Sequence, residues 1–340
     1  MIAGAQDWQE IAIFGQERRS WLQRFLQLSN GTPSHDTFER VFDRLCPQAF
    51  QLCFRQWVEA IQEALPFKHI AIDGKSLRSS GTCKLKAFHL VSAWATAQRL
   101  SLGQVATSEK SNEITAIPLL LDLLDLAGAL VTIDAMGCQT EIAEKIVERG
   151  GDYVLKVKEN QPHLLEDIQQ SFVDASENDF EGLEHDTFET REKGHGREEF
   201  RSYHVLHSTK GLRNAVDWKN LTTIGLCYSE RMVQGVKPEE LRYFIGSRKC
   251  DAKVYGQALR GHWGIENSLH WQLDVTFDED RNRVSKRNGA ENLALLRRLT
   301  LSLLQAHPAK CSIAKKRFTA AINTDFLQEI LRGDAILGKR

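Results

Sequence analysis

Two aspartates in this chain each follow a short apolar run. Asp73 lies in IAIDGKSLRSS (70–80) and Asp134 in VTIDAMGCQTEIAEKI (131–146), the second just ahead of a helical pattern. Carboxylates delivered from strand ends are the natural start of a divalent-metal site. Mg²⁺ and Mn²⁺ are hard ions that take carboxylate oxygens, and a pair of them can activate an attacking hydroxyl while neutralising a leaving oxygen. Aspartate is short, so its backbone must be held close to the ion, which the end of a strand does better than a mobile loop. Asp-Gly after a strand is also an ordinary turn signal. A third acid would therefore decide for phosphodiester chemistry.

The elements that must position these acids divide the 340 residues into five parts. Residues 1–65 read as a helical N-terminal domain: WQEIAIFGQERRSWLQRFLQL has apolar residues at helical spacing, a turn comes next at Asn30–Pro33, and Ser34 or Asp36 caps the helix after it. Residues 66–165 alternate strand-like runs (FKHIAIDG, KAFHLVSAWAT, GALVTIDAM, GDYVLKV) with helical ones (ITAIPLLLDLLDL, CQTEIAEKIVERG), which predicts an α/β core with a mixed sheet flanked by helices. Residues 166–250 are more polar, with four candidate short strands, and read as an antiparallel β-rich insertion. Residues 251–306 are helical and complete the core, and 307–340 form a C-terminal tail.

Composition bounds the function. Apolar residues make up 42% and charged residues 26%, as in a globular chain rather than a disordered one. No run nears the length of a membrane span and the N-terminus has no signal pattern, so a cytoplasmic location and no membrane partner are expected. Seven cysteines with no CxxC pair point to neither a disulfide framework nor a zinc knuckle. The net charge of −1 leaves a polyanionic partner open, because a DNA-binding groove needs local charge rather than a basic total. Local charge exists in RNRVSKRNGAENLALLRR (281–298), where Arg281 and Arg283 are candidate phosphate contacts, and in KCSIAKKR (310–317). The glycine-rich turn Lys193–Arg197 offers His195 and Arg197 as further contacts, or is simply a surface hairpin.

Within the last helical part, His262, Glu266 and His270 recur every four residues, which predicts a carboxylate with an imidazole one turn to either side. The histidines are eight apart and do not form the HExxH zinc arrangement.

Eight segments in order then carry a family resemblance: GTPSHDTFERVF (31–42), IDGKSLR (72–78), HLVSAW (89–94), KSNEITAIPLLL (110–121), TIDAMGCQTEIAEKI (132–146), DYVLKVKENQ (152–161), GHGREE (194–199) and HWGIENSLHWQLDVTFDED (262–280). The chain resembles the H-repeat-associated transposases of bacterial insertion sequences, members of the DDE class with an RNase H-like core. The resemblance implies a triad of Asp73, Asp134 and Glu266 holding two Mg²⁺ or Mn²⁺ ions. It implies cleavage of double-stranded DNA at terminal inverted repeats, joining of the freed 3′-OH to target DNA, and a homodimer on DNA. Lys75, Arg78, Lys156, Lys158 and Asn160 would line the DNA channel, with His262 and His270 beside the third acid. Relatives often carry an arginine one turn before the glutamate and a lysine seven residues after it, where this chain has His262 and Leu273. Asp274, Asp278, Glu279 and Asp280 are alternative third ligands. Proteins of this type usually also have sequence ahead of the stretch resembling AGAQDWQEIAIFG, so the N-terminal domain is expected to be shortened, which would suit a catalytically silent remnant that at most binds DNA.

Overall fold

Helix caps and turn residues set the element boundaries. The Asp7 carboxylate accepts the Glu10 N–H (2.8 Å) and opens α1 (Trp8–Glu17), with the short α2 (Arg19–Leu22) directly after it. Ser34 caps α3 (His35–Arg44) by accepting the Thr37 N–H. Then come α4 (Pro47–Ala64), β1 (His69–Ser76), β2 (His89–Ala95), β3 (Leu100–Thr107), α5 (Glu113–Leu121), β4 (Leu130–Ile133), α6 (Thr140–Glu148), β5 (Asp152–Val157) and α7 (Pro162–Glu177). Four long strands are next, β6 (His185–Gly194), β7 (Arg197–Leu206), β8 (Thr223–Met232) and β9 (Glu239–Gly246). The chain continues with α8 (Ala252–Ile265), a π-turn at Glu266–His270, α9 (Trp271–Val275), α10 (Arg287–Ala306), α11 (Ile313–Ile322) and α12 (Thr324–Arg332). The computed structural model describes residues 1–64, 68–77, 89–107, 113–194, 197–232, 238–281, 284 and 287–333.

These elements group into two units: residues 68–73 with 113–264, and residues 1–67, 74–112 and 265–340. In the first, β1 pairs parallel with β4 and β4 parallel with β5, while β9 pairs antiparallel with β5 and continues through β8 and β7 to β6. The result is a mixed sheet with helices on both faces. Leu130, Val154, Val205 and Phe244 pack against Ala252, Tyr255 and Ala258 of α8. On the other face Ile133 meets Gly137, whose missing Cβ would lie 2.2 Å from Ile133 Cγ2 and 3.2 Å from Ile117 Cδ1 of α5.

The second unit is mainly helical. Trp8 and Phe42 pack at 4.7 Å between ring centroids, and Phe42 meets Phe50 edge-on at 6.4 Å. Asn292 of α10 donates to the Phe42 and Leu45 carbonyls, both at 2.9 Å, satisfying oxygens that the end of α3 leaves without intrahelical partners. The β2–β3 hairpin belongs here, with every residue of β2 buried. Among the described residues no helix is long and apolar enough to cross a membrane.

Two elements depart from the sequence reading. α7 falls where an irregular insertion was expected to begin; Pro162 at its first turn is the local start signal, and Leu164, Ile168, Phe172 and Ala175 form its buried stripe. β3, LSLGQVAT, shows no apolar alternation because it is buried along most of its length.

Gly225 of β8 is opposite Phe244 of β9, and a Cβ at 225 would come within 1.9 Å of that ring. Gly225→Ala is therefore expected to lower unfolding stability by about 1–3 kcal/mol through overpacking. A urea midpoint equal to wild type, with an unchanged slope, would show that the ring swings aside at no cost.

Candidate active site

The register of β1 and β4 brings the two aspartates level. Ile72 pairs with Ile133 in a parallel ladder, so Asp73 and Asp134 are the next residues of neighbouring strands, about 4.8 Å apart along the hydrogen-bonding direction. Alternation puts both on the face that also carries Ala71 and Thr132, the face covered by α8. Asp134 is where β4 ends; its carboxylate accepts the Met136 N–H (3.1 Å) and caps a single 3₁₀ turn. Two side chains hold that turn from the loop after β5: Asn160 Nδ2 donates to the Ala135 carbonyl and Gln161 Nε2 to the Cys138 carbonyl, each at 2.8 Å. Asn160, expected to face DNA, is thus tied to the turn just after the second acid.

Beneath the acids lies a polar chain. The Thr132 hydroxyl is 2.9 Å from His69 Nε2 and 3.1 Å from His262 Nδ1, which fastens α8 to β4. Burial lowers the His69 pKa to about 4, so this ring is neutral at physiological pH. His262 is itself buried.

Lys156 continues the same face on β5, one position past the Leu155–Ile133 pair. Burial holds its ammonium below the usual range, and the Asp134 and Asp73 carboxylates pull the other way. Arg242 of β9 joins it: Lys156 Nζ is 6.0 Å and Arg242 Cζ 5.9 Å from the centre of the half-exposed Trp263 ring. A pocket lined by Lys156, Arg201, Tyr203, Arg242, Arg260 and Trp263 extends from them. Sequence reading found Lys156 and missed the others, which come from β7, β9 and α8. The only local signal was an aromatic three residues before Glu266.

The remaining candidates are dispersed. Lys158 is exposed on the loop after β5. Arg281 is exposed and 3.5 Å from Asp278. Arg78, His195 and Arg283 lie outside the described residues, and of Arg197 only the backbone is described. Lys75 is buried in the helical unit: its ammonium donates to Asp274 and to Glu279 (3.1 Å), so its charge is directed inward rather than to a phosphate. That pairing also engages two of the acids considered as substitutes for Glu266.

Glu266 opens the π-turn and is exposed, whereas His270 at its end is buried. Glu266 is thus unlike the two imidazoles expected to flank it, His262 and His270, both of which are buried. Burial, reinforced by Arg298 and Lys75, lowers the His270 pKa to about 3, so it offers no positive charge to DNA at physiological pH. Asp73 and Asp134 present the hard oxygen donors that Mg²⁺ or Mn²⁺ takes. Among the described residues no group of three or more His, Cys, Asp or Glu side chains could hold a metal ion.

Comparison with known proteins gives the family context. Residues 65–303 match the family model described as Transposase DDE domain, and residues 1–58 match the DDE_Tnp_1-associated family. The chain is similar to YncI of Escherichia coli O157:H7, at 41% identity over all of this chain and 88% of that protein. It is 37% identical to YbfL and to the H repeat-associated YhhI of Escherichia coli K12, each over 99% of this chain and 90% of the relative.

Two predictions come from this geometry. For His69 and His270 the folded pKa lies below the ordinary value of 6.5, so the unfolded chain takes up a proton that the folded chain refuses. Their contribution is complete above about pH 6.5 and is lost as pH falls toward the folded values, at about 1.4 kcal/mol per pH unit for each imidazole. Urea unfolding between pH 7 and pH 5 should show this slope, and His69→Gln should flatten it; an equal slope in the variant would mean that His69 is not responsible. Asn160→Ala, which frees the Ala135 carbonyl, should cost about 1 kcal/mol or less at this exposed position and speed amide exchange over 134–138. Unaltered exchange there would mean that the turn holds itself.

Proposed function

This chain belongs to the H-repeat-associated family of DDE transposases, and from that premise we propose that it binds double-stranded DNA and presents Asp73 and Asp134 to the phosphate backbone. On this reading β1, β4 and β5 are the centre of an RNase H-like core, and β6 to β9 are its antiparallel insertion. Glu266 is the third acid. The observation that carries the proposal is the level placement of Asp73 and Asp134 on the face that Lys156 shares.

The chain's own residues have definable parts. Asp73, Asp134 and Glu266 would hold two Mg²⁺ or Mn²⁺ ions, which when bound supply positive charge to the reacting phosphate and acidify a coordinated water. Lys156 and Arg242 bring cations to the face that the acids occupy, and their phosphate contacts would make binding salt dependent. Trp263, between those cations, offers an exposed ring on which a base can stack. The substrates on this reading are the element's terminal inverted repeats and target DNA, handled by a homodimer in the bacterial cytoplasm.

A second reading has its own support. Among the described residues no group of three or more His, Cys, Asp or Glu side chains could hold a metal ion, and two acids beside a basic, aromatic-bearing surface suffice for binding. A catalytically silent, DNA-binding relative is therefore the second reading, and cutting and joining require Glu266 to act with the other two acids.

Cleavage of a labelled terminal-repeat duplex with Mg²⁺ or Mn²⁺ separates the two. For a transposase, wild type cuts and joins while Asp73→Ala, Asp134→Ala and Glu266→Ala each fall below about one hundredth of its rate. Salt-sensitive binding without cleavage would establish the silent reading. In either case Lys156→Ala and Arg242→Ala should each reduce the salt dependence of binding by about one unit of slope, and an unchanged slope would remove that residue from the DNA surface.

A further inference from the structure

Strand alternation places Lys75 on the same face of β1 as Asp73, two residues on. A lysine in that position would ordinarily compete with a cation for the aspartate. Here its ammonium is drawn into a buried charge network of the helical unit. Lys75 donates to Asp274 and, at 3.1 Å, to Glu279 Oε2, and stands 4.0 Å from Asp280. Glu279 reaches with its other oxygen to Arg298 Nη1 of α10, also at 3.1 Å, and both Glu279 and Arg298 are fully buried. Arg298 is fixed in turn by the Ser92 hydroxyl on β2 (3.3 Å) and the Ala294 carbonyl (3.1 Å). A buried carboxylate that joins two cations is costly unless each partner is present, so the arrangement favours one geometry over its alternatives.

The next two residues are anchored as well. Ser76 Oγ is 3.0 Å from His89 Nδ1, and the buried Leu77 packs with Leu90, Ala290 and Ala294. The anchor at Lys75 is ionic and lies on the strand face of Asp73. Between Asp73 and Lys75 the chain is Gly74, which supplies no side chain of its own to hold the backbone.

We propose that Glu279 is a positioning residue for Asp73: by joining Lys75 to Arg298 it fixes the stretch of β1 that follows the first acid and withdraws the lysine from it. The role rests on the reading of Asp73 as a cation ligand. It also separates Glu279 from the set of alternative third ligands, because both of its oxygens are engaged by fixed cations.

The test uses the full chain and two readouts, hydrogen–deuterium exchange over residues 70–77 and Mn²⁺ binding by calorimetry. Glu279→Gln should speed exchange of 70–77 about tenfold while β8 and β9 keep wild-type protection. It should weaken Mn²⁺ binding about tenfold, as loss of an outer-sphere partner does, and have no further effect on Mn²⁺ in an Asp73→Asn background. Glu279→Asp and Arg298→Lys, which keep the charges, should recover part of both readouts and cover the case in which Glu279→Gln fails to fold. Unchanged exchange over 70–77 overturns the positioning role alone. So does protection lost equally across α4 and α10, which would make Glu279 a general stability residue. Absence of any Mn²⁺ binding by the wild type that Asp73→Asn abolishes overturns the ligand reading and this role with it.

Discussion

Register between β1 and β4 is the constraint on which the rest depends. A slip of one residue in either strand would send its aspartate to the opposite face, where Ile133 and Ile117 flank Gly137, and bring an isoleucine under α8. Both faces resist that slip. Ile72 and Ile133 are buried on one side, and Leu130 and Thr132 are engaged by α8 on the other. The apolar core is thus what keeps two carboxylates level. Their placement is a consequence of packing that has no chemistry of its own.

The two acids are held by different means. Asp134 stands at a strand end and is secured by neutral hydrogen bonds from its own turn and from the loop after β5. Asp73 lies within a longer strand whose continuation is secured by ions. Neutral bonds around Asp134 leave its carboxylate as the local charge. Ionic anchoring beyond Asp73 uses acids at 274 and 279 to take up the lysine two residues further along the strand.

Much of this was legible in the sequence, and the reasons for the failures are physical. The aspartates stand out because a polar residue after a buried apolar run must be at a strand end or serve a purpose, and four candidate short strands were legible in 166–250, where β6 to β9 run 8 to 10 residues each. Lys75 was read as a phosphate contact because its acidic partners lie about two hundred positions away, where no local pattern joins them. His262 and His270 were read as imidazoles available to DNA beside Glu266, and their burial comes from packing that no local pattern marks. Arg242 and Trp263 were passed over for a similar reason: each is unremarkable alone, and only the pairing of β9 with β5 and the packing of α8 bring them to Lys156.

Net charge illustrates the same point. A chain at −1 has no electrostatic excess to spread over its surface, so any attraction to DNA must come from separating its charges. The fold does this by folding some of its cations inward and leaving others beside the acids. Lys75, Arg298 and Arg317 are consumed internally, Arg317 by the Thr276 and Gly4 carbonyls, while Lys156 and Arg242 stand at a solvent-accessible indole. Which cations meet a phosphate is thus decided by what each finds within reach in the folded chain. A lysine already held by Asp274 and the buried Glu279 has little to gain from a phosphate, whereas the burial of Lys156 is only partly offset by Asp73 and Asp134.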